Sequence, residues 1–239
     1  MGTTELAAVA IVALAGLVRG TTGFGGAMLM SPLLSALIGP VPAVVTALVL
    51  ETAAALVMFP DALPIVRWRT LLYLILPALV TVPIGGYVLL TLDPGTARKM
   101  IAGVVVVFSA MLLLGLRYSG KPRAVTSVAL GSLVGALLGA TSVGAPPVIL
   151  YLLSGPDPVA VTRANLTVFV TAISIIGVVM LAVAGAATAP MTLSAAALTI
   201  PFLLATWLGG KLYARLSDTG VRRLALVLML CIGIASLAI

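Results

Sequence analysis

Three ionisable side chains, Arg19, Glu51 and Arg163, stand inside apolar runs of this 239-residue chain. A charge in a run long enough to cross a bilayer costs about 2.5–3.5 kcal/mol even on the lenient insertion scale, so each calls for a partner or a role. Arg163 lies about one turn inside its helix and two residues before Asn165. It can clamp an anion with that amide, or snorkel to a headgroup. Arg19 can face the same ligand or neutralise the carbonyl end of its own helix. Glu51 sits mid-span and is a proton-coupling candidate, because a buried carboxylate can take up and release a proton. It can equally be a structural partner for Arg163 or Arg19.

A second group of candidates lies where glycine interrupts apolar sequence. One break reads Gly20-Thr21-Thr22-Gly23-Phe24-Gly25-Gly26, and the other Gly139-Ala140-Thr141-Ser142-Val143-Gly144-Ala145-Pro146-Pro147. Non-helical backbone at membrane depth persists only where it is buried in protein or lines a wet cavity. Glycine accepts positive φ and lets a ligand approach the main chain. Half-helices starting after Gly26 and near Pro146-Pro147 would aim N–H groups and a partial positive charge at the bilayer centre, which suits an oxyanion. Thr21, Thr22, Thr141 and Ser142 add hydroxyls. The expected substrate-binding set is therefore Thr21, Thr22, Gly23, Phe24, Gly25, Gly26, Thr141, Ser142, Val143, Gly144, Arg163 and Asn165. Within it the Phe24 side chain reads as packing, as do Met28 and Met30. The competing explanation for the whole pattern is that small residues let helices pack closely.

Composition fixes the setting of these residues. With 62% hydrophobic and 8% charged residues and a mean hydropathy of +1.30, the chain lies far from soluble proteins, in which charged residues make up about 25%. It reads as an all-α polytopic membrane protein with no soluble domain expected at either end. Met1 to Glu5 carries no basic residue, unlike a cleavable signal peptide. One cysteine and no histidine leave no basis for a disulfide or an ordinary zinc site, so no metal or cofactor is expected. Paired carboxylates, a nucleophile with its base, and a P-loop are all missing, so an enzyme is not expected. The net charge of +7 comes from short loops between spans, a sign of membrane orientation rather than nucleic-acid binding.

Each break is followed by Leu-Leu-Ser and then Gly-Pro-x-Pro, at Leu33 to Pro42 and Leu152 to Pro158. Pro77 with Gly85-Gly86 is matched by Pro201 with Gly209-Gly210. The chain is therefore expected to be duplicated, with repeats over 1–120 and 121–239, and Thr167 as the counterpart of Glu51. Spans are expected at about 41–59, 69–90, 96–116, 159–183, 192–214 and 220–239, in addition to the broken elements. The first arm, residues 5 to 19, would cover about 22 Å. If each broken element is a re-entrant hairpin, Arg67, Arg69, Arg117, Lys121, Arg123, Lys211, Arg215, Arg222 and Arg223 share a face that only Arg98 and Lys99 oppose. That asymmetry obeys the positive-inside rule; a single-pass reading gives none. The expectation is two inverted repeats, each a broken hairpin plus three transmembrane helices, with both termini non-cytoplasmic and hairpin tips overlapping near the midplane. Trp68 reads as an interfacial anchor, and the turn aspartates, such as Asp93, as helix caps.

The motif Gly16-x-x-x-Gly20-x-x-Gly23-Phe24-Gly25-Gly26, its degenerate copy Gly135-x-x-x-Gly139-x-x-Ser142-Val143-Gly144-Ala145, and the two later Gly-Gly pairs resemble the sulfite exporter TauE/SafE family of bacterial and archaeal membrane proteins. The resemblance implies export of sulfite, sulfoacetate or a related small organosulfonate across the cytoplasmic membrane. The second copy departs from the family pattern, with Ala145-Pro146-Pro147 in place of further glycines. The partners expected are a small anion, protons and the lipid bilayer, with a homo-oligomer as an option. The alternatives are an uncoupled anion channel, an exporter of another small organic anion, and a non-transporting membrane subunit.

Overall fold

The computed structural model describes residues 2–116, 118, 123–155, 157–213 and 218–238, the last with backbone alone at 218, 219, 221 and 222. Side chains at 159 and 213 are likewise not described. Arg117, Lys121 and Arg215, the repeat boundary at 120/121, and the Arg222 side chain therefore lie outside the described residues. Every described regular element is a helix, as expected for a chain whose backbone groups have no water to bond within a bilayer. In order these are α1 (Thr3–Thr22), α2 (Gly26–Ile38), α3 (Pro40–Ala62), α4 (Trp68–Thr91), α5 (Pro94–Leu113), α6 (Ala124–Thr141), α7 (Ala145–Leu152), α8 (Val159–Val183), α9 (Ala189–Tyr213) and α10 (Asp218–Leu237). Seven of them, α1, α3, α4, α5, α6, α8 and α9, are long and apolar enough to cross a membrane. At 13 and 8 residues, α2 and α7 rise only about 20 and 12 Å and cannot cross alone. Asp93 caps α5 by accepting from the Thr96 N–H at 3.0 Å, and these Thr96 hydrogen bonds hold its carboxyl below the usual carboxylate range.

The helix boundaries correct the sequence reading in one respect. Gly20, Thr21 and Thr22 remain helical, as do Gly139 to Thr141, so the breaks shrink to residues 23–25 and 142–144. The arms α1 and α6, with 20 and 18 residues, are accordingly about 30 and 27 Å long, against the 22 Å expected for the first. The reason is packing. Gly16 lies against Phe202, Ala205 and Thr206 of α9, and Gly20 against Thr206, Gly209 and Gly210. In the same manner Gly131 meets Leu74 and Pro77 of α4, Gly135 meets Ala78 and Thr81, and Gly139 meets Val82 and Gly86. A Cβ at any of these glycines would run into a partner backbone atom. The absent side chains let two helix backbones touch, the small-residue packing common in membranes. These contacts also fix directions: α1 runs parallel to α9, and α6 parallel to α4.

The two pairings are alike: α1 packs on α9, the helix before α10, and α6 packs on α4, the helix before α5. Between them lie α3 and α8, in contact with one another. Leu48 of α3 faces Gly177, late in α8, while Arg67, just beyond α3, meets Asn165 and Asp157 at the start of α8. The two helices are therefore antiparallel. Were each broken element a single pass, α3 and α8 would run the same way. α3 is buried on two sides: Ala43, Ala47, Leu50 and Ala54 join one hydrophobic cluster, and Val44, Val45 and Leu48 the other. Phe24 and Val143, one from each break, belong to the first cluster.

Replacing Gly139 with valine should lower the stability of the detergent-solubilised protein by about 1–3 kcal/mol or more, because the new side chain meets backbone that cannot yield. Gly103, where a Cβ meets nothing within 4 Å, is the control: its alanine variant should melt with the parent. Thermal unfolding of the three proteins checks this, and equal melting of Gly139→Val and the parent would contradict it.

Candidate anion site at the helix breaks

Each broken element ends its first helix in the same way. Gly23 closes α1 with φ +78° and its N–H donates to the Arg19 carbonyl at 2.7 Å; Ser142 closes α6 with φ +61° and donates to the Leu138 carbonyl at 2.7 Å. The preceding threonine then serves both sides of the turn. Thr22 Oγ1 donates to the Val18 carbonyl at 2.8 Å and accepts from the Phe24 N–H at 3.3 Å. Thr141 Oγ1 donates to the Leu137 carbonyl at 2.7 Å and accepts from the Val143 N–H at 3.2 Å. One hydroxyl thus satisfies a terminal carbonyl and an amide that has left the helix, each of which would cost several kcal/mol bare in hydrocarbon. Thr21 Oγ1 likewise donates to the Leu17 and Val18 carbonyls. These hydroxyl protons are engaged by backbone, so to donate to an anion each would have to rotate away from a carbonyl.

The two second helices begin differently. Gly25, with φ +91°, lies just before α2, and the N–H of Ala27 in the first turn donates to Glu51 Oε1 at 3.0 Å. Glu51 Oε2 is ion-paired with Arg19 Nη1. Gly26 completes the enclosure: a Cβ there would lie 2.6 Å from Glu51 Oε1 and 3.3 Å from both Arg19 Cβ and Phe202 Cζ. A buried carboxylate thus sits on the amide end of α2, with a largely buried guanidinium behind it. In the other half, α7 opens with Ala145-Pro146-Pro147, so two of its first three residues have no N–H at all. Among the first three residues of α7 only Ala145 carries an N–H, so the donors expected near Pro146-Pro147 are fewer than those at the start of α2, where Glu51 accepts one.

The breaks approach one another through a pair of serines, Ser31 Oγ of α2 and Ser142 Oγ lying 2.5 Å apart, both buried. Val143 is buried and Gly144 packs on Leu138 and Val134. Arg163 and Asn165 are not at the breaks. Arg163 is exposed, without an ion pair among the described residues. Asn165 is fully buried, its Oδ1 accepting from the Arg67 N–H at 2.9 Å and its Nδ2 without a partner. Asn165 is about 18 Å along α8 from Gly177, the level at which α8 meets Leu48 and Leu138. It belongs with the Arg67–Asp157 ion pair of 2.5 Å, at the start of α8. Trp68 is about half exposed at the start of α4.

Two participants escaped sequence reasoning. Ser31 carries no signal of its own, being one small residue on an apolar helix. The Glu51–Ala27 contact was accessible: the two residues lie equally far from Gly39 on either side, so a tight α2–α3 hairpin must bring them level.

Removing one partner of the buried pair leaves the other charge uncompensated, which typically costs about 3–5 kcal/mol. Arg19→Ala should therefore destabilise the solubilised protein strongly, and Arg19→Ala combined with Glu51→Ala should restore much of the loss. A double-mutant cycle by thermal unfolding measures this. A single-variant cost under about 1 kcal/mol would contradict a structural ion pair.

The comparison with family models finds a match to the sulfite exporter TauE/SafE model over residues 8–236. No curated protein and no solved structure matches the chain. Together with seven membrane-length apolar helices, that match across nearly the whole sequence makes the protein a multi-pass membrane protein that belongs to the sulfite exporter TauE/SafE family.

Proposed function

We propose that the protein is a secondary transporter that exports a small sulfur-containing anion, such as sulfite, sulfoacetate or a related organosulfonate, across the cytoplasmic membrane. The observation that carries this reading is the carboxylate of Glu51 lodged between the Ala27 N–H and the Arg19 guanidinium. An oxyanion already occupies the first break, so donors of the right kind and direction exist there. Sulfite, a sulfonate and a carboxylate ask for similar things: N–H donors, a cation, and protection from water.

The antiparallel course of α3 and α8, and the exchange of arms between halves, support inverted repeats that rock about the paired breaks in alternating access. On that arrangement the start of α8, with Arg67, Arg163 and Asn165, faces the cytoplasm and gathers anions at the mouth, and both termini lie outside. Glu51 is the group through which a proton gradient would act, being the ionisable carboxylate at the site.

Uptake into proteoliposomes tests the reading with a panel of sulfite, sulfoacetate, methanesulfonate and acetate, with and without a pH gradient. A carrier gives saturable flux with counterflow for a sulfur anion, and Glu51→Gln removes the dependence on the pH gradient. Ohmic single-channel current would assign an open pore instead. Absence of flux for every anion would overturn a transport role.

A further inference from the structure

The site at the first break has a charge count that allows one anion at a time. Its positive side consists of Arg19, from the last turn of α1, and the partial charge at the start of α2, equivalent to about half a unit. Its negative side is Glu51, from α3. Gly26 and Ala27 of α2 contribute backbone, and Phe202 of α9 closes the remaining side with an apolar ring. Among the described residues no second ionisable group from α4, α5 or α8 forms an ion pair with Glu51. A substrate anion that joined an ionised Glu51 would place two negative charges on one guanidinium inside an apolar protein, where like charges repel strongly.

Resting on the functional reading above, we infer that Glu51 is a tethered competitor of the substrate: its ionised carboxylate and the transported anion exclude one another from Arg19 and the Ala27 N–H, and each anion is bound as Glu51 takes up one proton. A proton from solution adds to a Glu51 oxygen, the Arg19 ion pair opens, and the anion takes the vacated donors, leaving the charge of the site unchanged. Release reverses each step. The empty carrier is never left with a bare Arg19, because the carboxylate returns to it. Anion and proton therefore cross together, in whichever direction their combined gradient drives them.

Among the described residues, the second broken element has no such carboxylate. By sequence offset Glu51 matches the uncharged Thr167, and Pro146 and Pro147 leave few amide donors at the start of α7 in need of a counter-charge. One coupling carboxylate per chain implies one proton per anion.

The experiment is equilibrium binding of methanesulfonate, an anion that stays ionised across the pH range, to the purified full-length protein by titration calorimetry. Buffers of different ionisation enthalpy count the protons. The wild type should take up close to one proton per anion, and its affinity should fall about tenfold per pH unit where Glu51 is ionised. Glu51→Gln should take up none, bind more tightly than the wild type at neutral pH, and show no pH dependence. Binding by the wild type without proton uptake, or an unchanged proton count in Glu51→Gln, would overturn the inference while leaving transport intact. If Glu51→Gln is not recovered folded, the wild-type proton count decides alone. If neither methanesulfonate nor sulfoacetate binds while flux is also absent, the functional reading itself falls.

Discussion

The structure depends on one constraint: a helix that stops within an apolar membrane protein must satisfy the backbone groups it exposes without help from water. At both breaks a threonine near the end of the arm bonds backward to a carbonyl and is bonded by an amide just beyond the turn. The following helix then exposes its amide end, and the halves solve that second problem by different chemistry. One supplies an anion, Glu51, with Arg19 as counter-charge; the other deletes donors with consecutive prolines. The two solutions are not equivalent chemically. A carboxylate can move or become neutral and so free its donors, whereas a proline cannot regain an N–H.

The glycines divide between two tasks that their sequence runs together. Gly23 and Gly25 carry the positive φ of the turn. Gly16, Gly20, Gly131, Gly135 and Gly139 carry the close approach of α1 to α9 and of α6 to α4. Because those packing glycines adjoin the breaks, each arm is clamped almost to its end, and the breaks are held in place against α9 and α4. The buried Ser31–Ser142 contact then ties one broken element to the other.

Much of this was legible beforehand. The all-helical membrane class, the spans to within a few residues and the two interruptions follow from hydropathy, proline and glycine. The extent of the interruptions did not follow: glycine-rich sequence looks the same whether it bends a chain or lets two chains touch, and only the partner backbone distinguishes them. Thr21, Thr22 and Thr141 looked like ligand donors because a sequence cannot show that their protons are engaged by carbonyls one turn back. Arg163 and Asn165 read as members of the same pocket because a sequence does not show that Asn165 lies about 18 Å along α8 from the level at which that helix meets Leu48 and Leu138. Arg19 and Glu51 stand out by the cost of a charge in an apolar run, and of the two partners open to Glu51, Arg19 and Arg163, the structure pairs it with Arg19.

The account stands on the breaks being chain reversals that enter from opposite faces. Single cysteines at Ile38 and Ser154, beside the turns that follow α2 and α7, introduced after replacing Cys231 with alanine, can be labelled in intact cells with a membrane-impermeant maleimide. The account predicts that Ile38→Cys is modified from outside and Ser154→Cys only after the membrane is opened. Labelling of both from the same side would contradict it.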